Sequence, residues 1–362
     1  LRAVGCKAKR EGTTLIIDPS TLSTSVIPDS YVRELRSSIV FLGAMLARLG
    51  KARVTYPGGC EIGQRPINLH LSGLRQLGVT IDESHGYLDC SASELRGADI
   101  HLDYPSVGAT ENIMLAASRA KGYTIIRNAA KEPEIVDLQN FINSMGGNVS
   151  GAGTNTIIIE GKERYDTTEY TVIPDRIVTG TYLLAAAITG SSLMVDNVVI
   201  EHIQSIIAKL RSSGCIVKPY KNSVYISAPE RPNPIEHTIT LPYPGFPTDM
   251  QALLMTYLTI ARGTSVVTET IFENRYKHVP ELIRMGANIR VEGKTAIIRG
   301  VDKLTGTTVA ARDLRGGAAL VLAGLRAEGC TLVENIHHID RGYDNLEENL
   351  RSIGADIIRE GD

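Results

Sequence analysis

Tryptophan is absent from this chain of 362 residues, and phenylalanine occurs only four times. With aromatics at 5% of the residues, no stacking platform for nucleic-acid bases is to be expected. Charge of one sign is also missing. The formal net charge of −2 leaves no basic arm for nucleic acid or for a membrane surface. No apolar run approaches the roughly 18 residues that a bilayer-spanning helix needs. The five cysteines are scattered, odd in number and never spaced C-x-x-C, which excludes a simple disulfide framework or zinc site. That usage fits a reducing, cytoplasmic setting. The apolar fraction of 43% is that of a globular chain, and the length predicts two domains.

What is present is a repeat. The segments LRAVGCKAK, LRQLGVTID, INSMGGNVS, LRSSGCIVK, LIRMGANIR and LRSIGADII each read as a helical tail, a glycine and an alternating strand. Their glycines, Gly5, Gly78, Gly146, Gly214, Gly286 and Gly354, recur about every 70 residues. A second series, Gly50, Gly122, Gly190, Gly263 and Gly329, runs in step, each ending a helix and opening a strand. Glycine suits both places because it enters the left-handed region at little steric cost. Each unit thus reads helix, strand, helix, strand pair, with tight turns such as that at 292–294. A period this long predicts stacked supersecondary units.

The first helix of each unit is apolar on nearly every face, as in YLLAAAITG and ALLMTYLTIARG. Such helices belong inside, with the sheets outside. Grouping the units by threes gives two similar domains, 1–173 and 174–362. The same helices open with polar residues: Arg36-Ser37-Ser38, Gly108-Ala109-Thr110, Asp175-Arg176, Thr248-Asp249 and Asp313-Leu314-Arg315. Singly these are ordinary caps, and Asp249 reads as one for the apolar helix after it. If like ends stack together, several helix N-termini and arginines converge on one place that attracts an anion.

Three cysteines follow repeat glycines, and Cys90 ends the alternating GYLDC. Cys6, Cys90, Cys215 and Cys330 read as small hydrophobes, Cys330 at the start of a strand. Cys60 differs. It sits in YPGGCEIGQRP, an insertion without counterpart in the other units, where packing does not account for a thiol and reactivity does. Gly58, Gly59 and Gly63 would let that loop move as a lid.

Together PGGCEIGQRP, SVGAT, AAKEPEIVD, PDRIVTGT, FPTDMQA, TETIFENR, DLRGGAALVLAG and HIDRGY resemble, in order and along the whole chain, the UDP-N-acetylglucosamine 1-carboxyvinyltransferase family. The resemblance implies an enolpyruvyl transferase fold: an α/β protein of two inside-out barrel domains built from βαβαββ units and facing a shared cleft. It implies transfer of the enolpyruvyl group of phosphoenolpyruvate to the 3′-hydroxyl of UDP-N-acetylglucosamine, in peptidoglycan synthesis, with no metal or cofactor. On that resemblance Cys60 is the proton donor and the thiol alkylated by fosfomycin, and Asp249 contacts the sugar hydroxyl and is the proposed base. Arg65, Arg315 and Arg341 hold phosphoenolpyruvate, where the planar guanidinium suits carboxylate and phosphate. Arg36, Pro66, Ile67, Asn68, Leu69, Ser106, Val107, Gly108 and Ile271 belong to the nucleotide-sugar site. Asn68 stands where aspartate is frequent, and Tyr104 where one branch has lysine; both bear on the uridine contact.

Two other readings are weighed against this one. A 5-enolpyruvylshikimate-3-phosphate synthase shares the fold but lacks the cysteine loop. A non-catalytic relic would hold the nucleotide sugar without turnover. The repeat count bears on the second. Gly5 should close a unit, yet the chain starts in a helical tail without a methionine, so about 55 to 60 residues are expected before Leu1. The resemblance implies the same, with a Lys-Asn pair in a segment that no stretch here matches. The 362 residues alone are then expected to be poorly soluble and essentially inactive.

Overall fold

The structure, a computed structural model, describes residues 1–34, 36–56 and 66–361, without the side chains at 33, 34 and 36. Apart from residues 57–65, the chain divides into two compact units between Val172 and Ile173.

Unit 1 comprises β1 (Lys7–Glu11), β2 (Thr14–Asp18), α1 (Asp29–Glu34), α2 (Phe41–Leu49), β3 (Lys51–Thr55), α3 (Asn68–Gln76), β4 (Thr80–Ser84), β5 (Tyr87–Ser91), β6 (Asp99–His101), α4 (Val107–Ala117), β7 (Tyr123–Arg127), α5 (Pro133–Ser144), β8 (Asn148–Ser150) and β9 (Thr156–Glu160). Its sheets run β1-β2, β3-β5-β4 and β6-β7-β9-β8, with β6 parallel to β7.

Unit 2 comprises α6 (Arg176–Ile188), β10 (Ser192–Asp196), α7 (Gln204–Ser212), β11 (Ile216–Pro219), β12 (Ser223–Ser227), β13 (Thr238–Ile239), α8 (Gln251–Leu258), β14 (Thr264–Thr268), α9 (Val279–Arg284), β15 (Asn288–Glu292), β16 (Thr295–Arg299), β17 (Thr308–Ala310), α10 (Leu314–Arg326), β18 (Leu332–Glu334), α11 (His337–Asp340) and α12 (Leu346–Ser352). The order β13-β14-β16-β15 repeats that of β6-β7-β9-β8, again with a parallel first pair. Likewise β10-β12-β11 repeats β3-β5-β4. The stretches β6–β9 and β13–β16 are complete βαβαββ units, whereas the sheets β3-β5-β4 and β10-β12-β11 have three strands each.

The repeat glycines carry the register. Gly5, Gly78, Gly146, Gly214, Gly286 and Gly354 all have φ between 82° and 101°, which a side chain would strain. Helices are inside. Every residue of α8 is buried, and α6, α8 and α10 pack on one another around Leu183, Leu253, Tyr257 and Leu320. In unit 1, α2 and α3 pack on α4 around Leu42, Leu74 and Ile113. Strands such as β12 and β7 alternate buried with more open positions, so one sheet face meets the helices and the other faces out. Close helix contact needs small residues. A Cβ on Gly43 of α2 would lie 2.2 Å from the Asn112 carbonyl of α4.

Two expectations need correction. Cys6, Cys90 and Cys215 are buried, but Cys330 is exposed and precedes β18 rather than starting it. A burial-starved turn position needs no hydrophobe, and the strand face begins two residues later. The segment after Gly354 is not a strand among the described residues. Its groups bind locally instead: Ile357 O accepts from Arg351 Nε at 2.9 Å, and Arg359 pairs with Asp340. Among the described residues no helix is long and apolar enough to cross a membrane.

Candidate active site

In unit 2 the buried helices α6, α8 and α10 bring their N-terminal ends to one place. Asp175 caps α6, accepting from Ile177 N at 2.7 Å and Val178 N at 3.1 Å. Asp313 caps α10, accepting from Arg315 N at 3.1 Å and Gly316 N at 2.9 Å. Asp249 does not cap α8. It lies in a 3-10 turn, Thr248–Met250, whose N-cap is Pro247. Its carboxylate is turned instead to two guanidinium groups: Oδ1 is 2.5 Å from Arg275 Nη2, and Oδ2 is 3.4 Å from Arg315 Nη2. Charge complementarity has displaced the capping role that local sequence offered.

The two arginines are deep, with 4% and 11% of their side chains exposed against 40% for Asp249. A carboxylate open to approach is therefore held from behind by buried cations. Burial weighs against the Arg315 charge, but Asp249 foremost, then Tyr343 and Asp175, outweigh it and raise its pKa. Arg315 Nε and Nη1 are buried with no hydrogen-bond partner among the described residues. Unpaired guanidinium donors in a buried setting are costly unless an acceptor arrives. A phosphate or carboxylate has that chemistry. Arg341 follows α11 with an exposed side chain.

Ile271 is placed by a residue that sequence reasoning missed. Glu269 is fully buried and accepts from Thr240 Oγ1, Thr248 Oγ1, Ile271 N and Phe272 N at 2.7–3.1 Å. One satisfied carboxylate thus shapes the turn that carries Ile271 and ties it to the turn that carries Asp249. Arg275 was missed as well, although both lie in the TETIFENR motif. Next to them His278 is buried, and burial foremost lowers its pKa to about 4, so it is neutral at pH 7.

In unit 1, Ser106 caps α4, its hydroxyl accepting from Ala109 N at 3.3 Å. Val107 and Gly108 form the first turn of that helix. A Cβ on Gly108 would lie 3.2 Å from His70 Cε1, so α4 and α3 approach closely there. Asn112 joins the surrounding pieces. Its Oδ1 accepts from Gly43 N at 2.6 Å, and its Nδ2 donates to Ile39 O at 3.1 Å and lies 3.0 Å from His70 Nδ1. Donation to His70 Nδ1 assigns the ring proton to Nε2. Asn68 is the exposed first residue of α3, Ile67 before it is buried, Pro66 is exposed and Leu69 half-buried. Burial first, then the Glu134 and Glu132 carboxylates, push Glu111 of α4 up to about 7. Cys60 and Arg65 lie outside the described residues, as does the side chain of Arg36.

A cavity of about 400 Å³ in unit 1, lined by residues including Glu94, Arg119 and Lys121, shares none of these residues. It adjoins the C-terminal ends of α2 and α4, where helix carbonyls rather than N–H groups point out, so the chemistry argues for the N-terminal ends.

Stacked βαβαββ units with polar groups gathered at helix N-termini define the carboxyvinyl (enolpyruvyl) transferase class. A family model for EPSP synthase (3-phosphoshikimate 1-carboxyvinyltransferase) matches residues 1–350. A UDP-N-acetylglucosamine 1-carboxyvinyltransferase 2 of Caldanaerobacter subterraneus subsp. tengcongensis is 57% identical over 359 residues, covering 99% of this chain and 86% of that protein. The corresponding enzyme of Gloeobacter violaceus is 51% identical over 99% of this chain and 78% of its own length. The solved structure of the enolpyruvyl transferase NikO from Streptomyces tendae superimposes with a TM-score of 0.86 at 25% identity, covering 98% of this chain and 85% of that one. The EPSP synthase of Acinetobacter baumannii, at 19% identity and a TM-score of 0.70, shares the fold. The chain belongs to the EPSP synthase family and, within it, to the UDP-N-acetylglucosamine 1-carboxyvinyltransferases.

Proposed function

We propose that the chain transfers the enolpyruvyl group of phosphoenolpyruvate to the 3′-hydroxyl of UDP-N-acetylglucosamine and releases phosphate, a cytoplasmic step of peptidoglycan synthesis. The observation that carries this reading is Arg315, a buried guanidinium with two unpaired nitrogens beside the Asp249 carboxylate. It suits an anionic co-substrate next to a group that can accept a hydrogen bond from a hydroxyl.

The chemistry is addition and then elimination. A proton goes to C3 of the enolpyruvyl group while the sugar oxygen bonds to C2 and gives up its own proton. The C2–phosphate bond then breaks as a proton leaves C3. Cys60 is the acid that protonates C3, and Asp249 accepts from the 3′-hydroxyl. Arg315, Arg341 and Arg65 hold the phosphate and carboxylate. Arg36, residues 66–69, Ser106, Val107, Gly108 and Ile271 take the nucleotide sugar. The domains are 1–173 and 174–362, and no metal or cofactor takes part.

The test is phosphate release with both substrates present, and intact mass after fosfomycin. Turnover that requires UDP-N-acetylglucosamine, with one adduct that disappears in Cys60→Ala, is expected of the full-length protein. Release with shikimate 3-phosphate as acceptor would overturn the substrate assignment. A Cys60→Asp chain that turns over but resists fosfomycin supports acid catalysis. If it is folded and as inactive as Cys60→Ala, the thiol is needed as a nucleophile.

A further inference from the structure

Two arginines of unit 2, Arg315 and Arg341, come from different elements, and their common support is a tyrosine. Tyr343 is 4% exposed and lies two residues past Arg341. Its ring centroid is 5.2 Å from Arg315 Cζ, within cation–π reach. Its hydroxyl is 2.9 Å from Thr181 Oγ1 on α6. Thr181 donates its only hydroxyl hydrogen to Ile177 O at 2.8 Å, so Tyr343 is the donor in the pair. Between the two residues Gly342 lies against the first turn of α10, where a Cβ would be 2.7 Å from Leu314 Cδ2. The 341–343 segment is therefore clamped on α10 through a bare backbone and on α6 through one hydroxyl pair.

We propose that Tyr343, anchored by Thr181, is a positioning residue for the anion site, setting Arg315 through its ring and Arg341 through the backbone they share. The inference rests on the reading of Arg315 as an anion ligand. The plainer alternative, a tyrosine that only fills the core, has an internal control. Tyr257 is fully buried, and its hydroxyl is 2.9 Å from Ser213 Oγ and 3.3 Å from Cys215 Sγ, the same kind of network with no guanidinium over the ring among the described residues.

The experiment measures binding of inorganic phosphate and of phosphoenolpyruvate by calorimetry with UDP-N-acetylglucosamine present, alongside the unfolding midpoint. Thr181→Val and Tyr343→Phe should each weaken anion binding about fivefold or more, the scale of one lost hydrogen bond. The double variant should be little weaker than either single one, because both remove one bond. Thr181→Ser keeps the hydroxyl and should restore affinity. Tyr257→Phe should lower the midpoint and leave affinity alone. Unchanged affinity in Thr181→Val and Tyr343→Phe, or an equal loss in Tyr257→Phe, overturns the anchor. A wild-type chain that binds neither anion overturns the underlying site reading as well, and so the two failures are told apart.

Discussion

The two units hold their candidate groups by different physics. In unit 1 neutral hydrogen bonds from Asn112 join α4, the helix that Ser106 caps, to Gly43, Ile39 and His70. In unit 2 Asp249 is held by charge, between Arg275 and Arg315. Neutral bonds are directional and little affected by salt, which suits placing hydroxyl and amide groups. Buried cations are costly alone and become favourable when an anion arrives, which suits phosphate and carboxylate.

The largest expected effect comes from unit 2. Arg315→Ala should lower phosphate-release turnover by about two orders of magnitude or more, on the scale of losing a donor to developing charge. Anion affinity measured by calorimetry should fall with it. Arg315→Lys should recover little, because an ammonium cannot replace the fork that spans Asp249 and a ligand. A fully active Arg315→Ala would mean that the buried cation of unit 2 does not serve the anion.

Asn112→Ala should act on folding before it acts on catalysis. It leaves Gly43 N and Ile39 O without their side-chain partner in a buried setting, a cost of about 2–3 kcal/mol. Denaturant unfolding should show the loss, and high salt should not change it. A strong salt dependence would blur the distinction between the units.

The pH dependence sharpens it. The raised pKa of Glu111 means that the folded chain holds its proton more tightly than the unfolded one. Its contribution is most favourable below the usual value of 4.5 and declines as pH rises to about 7. Glu111→Gln should therefore stabilise unit 1 at pH 8, by about 2 kcal/mol, and hardly at all at pH 4. His278 of unit 2 has the opposite sign. Its pKa is lowered to about 4, so the unfolded chain takes up the proton first, and stability declines as pH falls from 6.5 towards 4. Thermal melts across pH 4–8 test both slopes.

The smallest effect is expected at a cap. Asp175→Ala removes the acceptor for Ile177 N and Val178 N and should cost about 1 kcal/mol. Asp249→Ala should cost no cap, since its carboxylate is turned to Arg275 and Arg315 and accepts from no helix N–H among the described residues. Equal losses of helix stability in the two would contradict the assignment of Asp249 to the arginines.

Much of the fold is legible because its signals are local. A glycine that ends a helix in the left-handed region reports on its own residue, and the same mark recurs about every 70 residues. An apolar helix reports its burial through its own composition, as α8 does. The exposed Cys330 shows where this kind of inference stops. Its repeat position resembles a core position, but burial depends on what lies above it.

By itself the sequence determined the period, the two series of glycines, the inward helices and the motifs that mark the family. All of these are properties of short stretches, read one at a time. Only the tertiary structure decided that Asp249 serves Arg275 and Arg315 rather than its own helix, with partners 26 and 66 residues away. It also decided that Glu269 shapes the turn of Ile271 and that Tyr343 reaches Thr181 across 162 residues. A cap and an ion pair use the same carboxylate, and local sequence offers both. Which one forms depends on whether the packing of α6, α8 and α10 brings buried guanidinium groups within reach, and no single stretch of the chain carries that information.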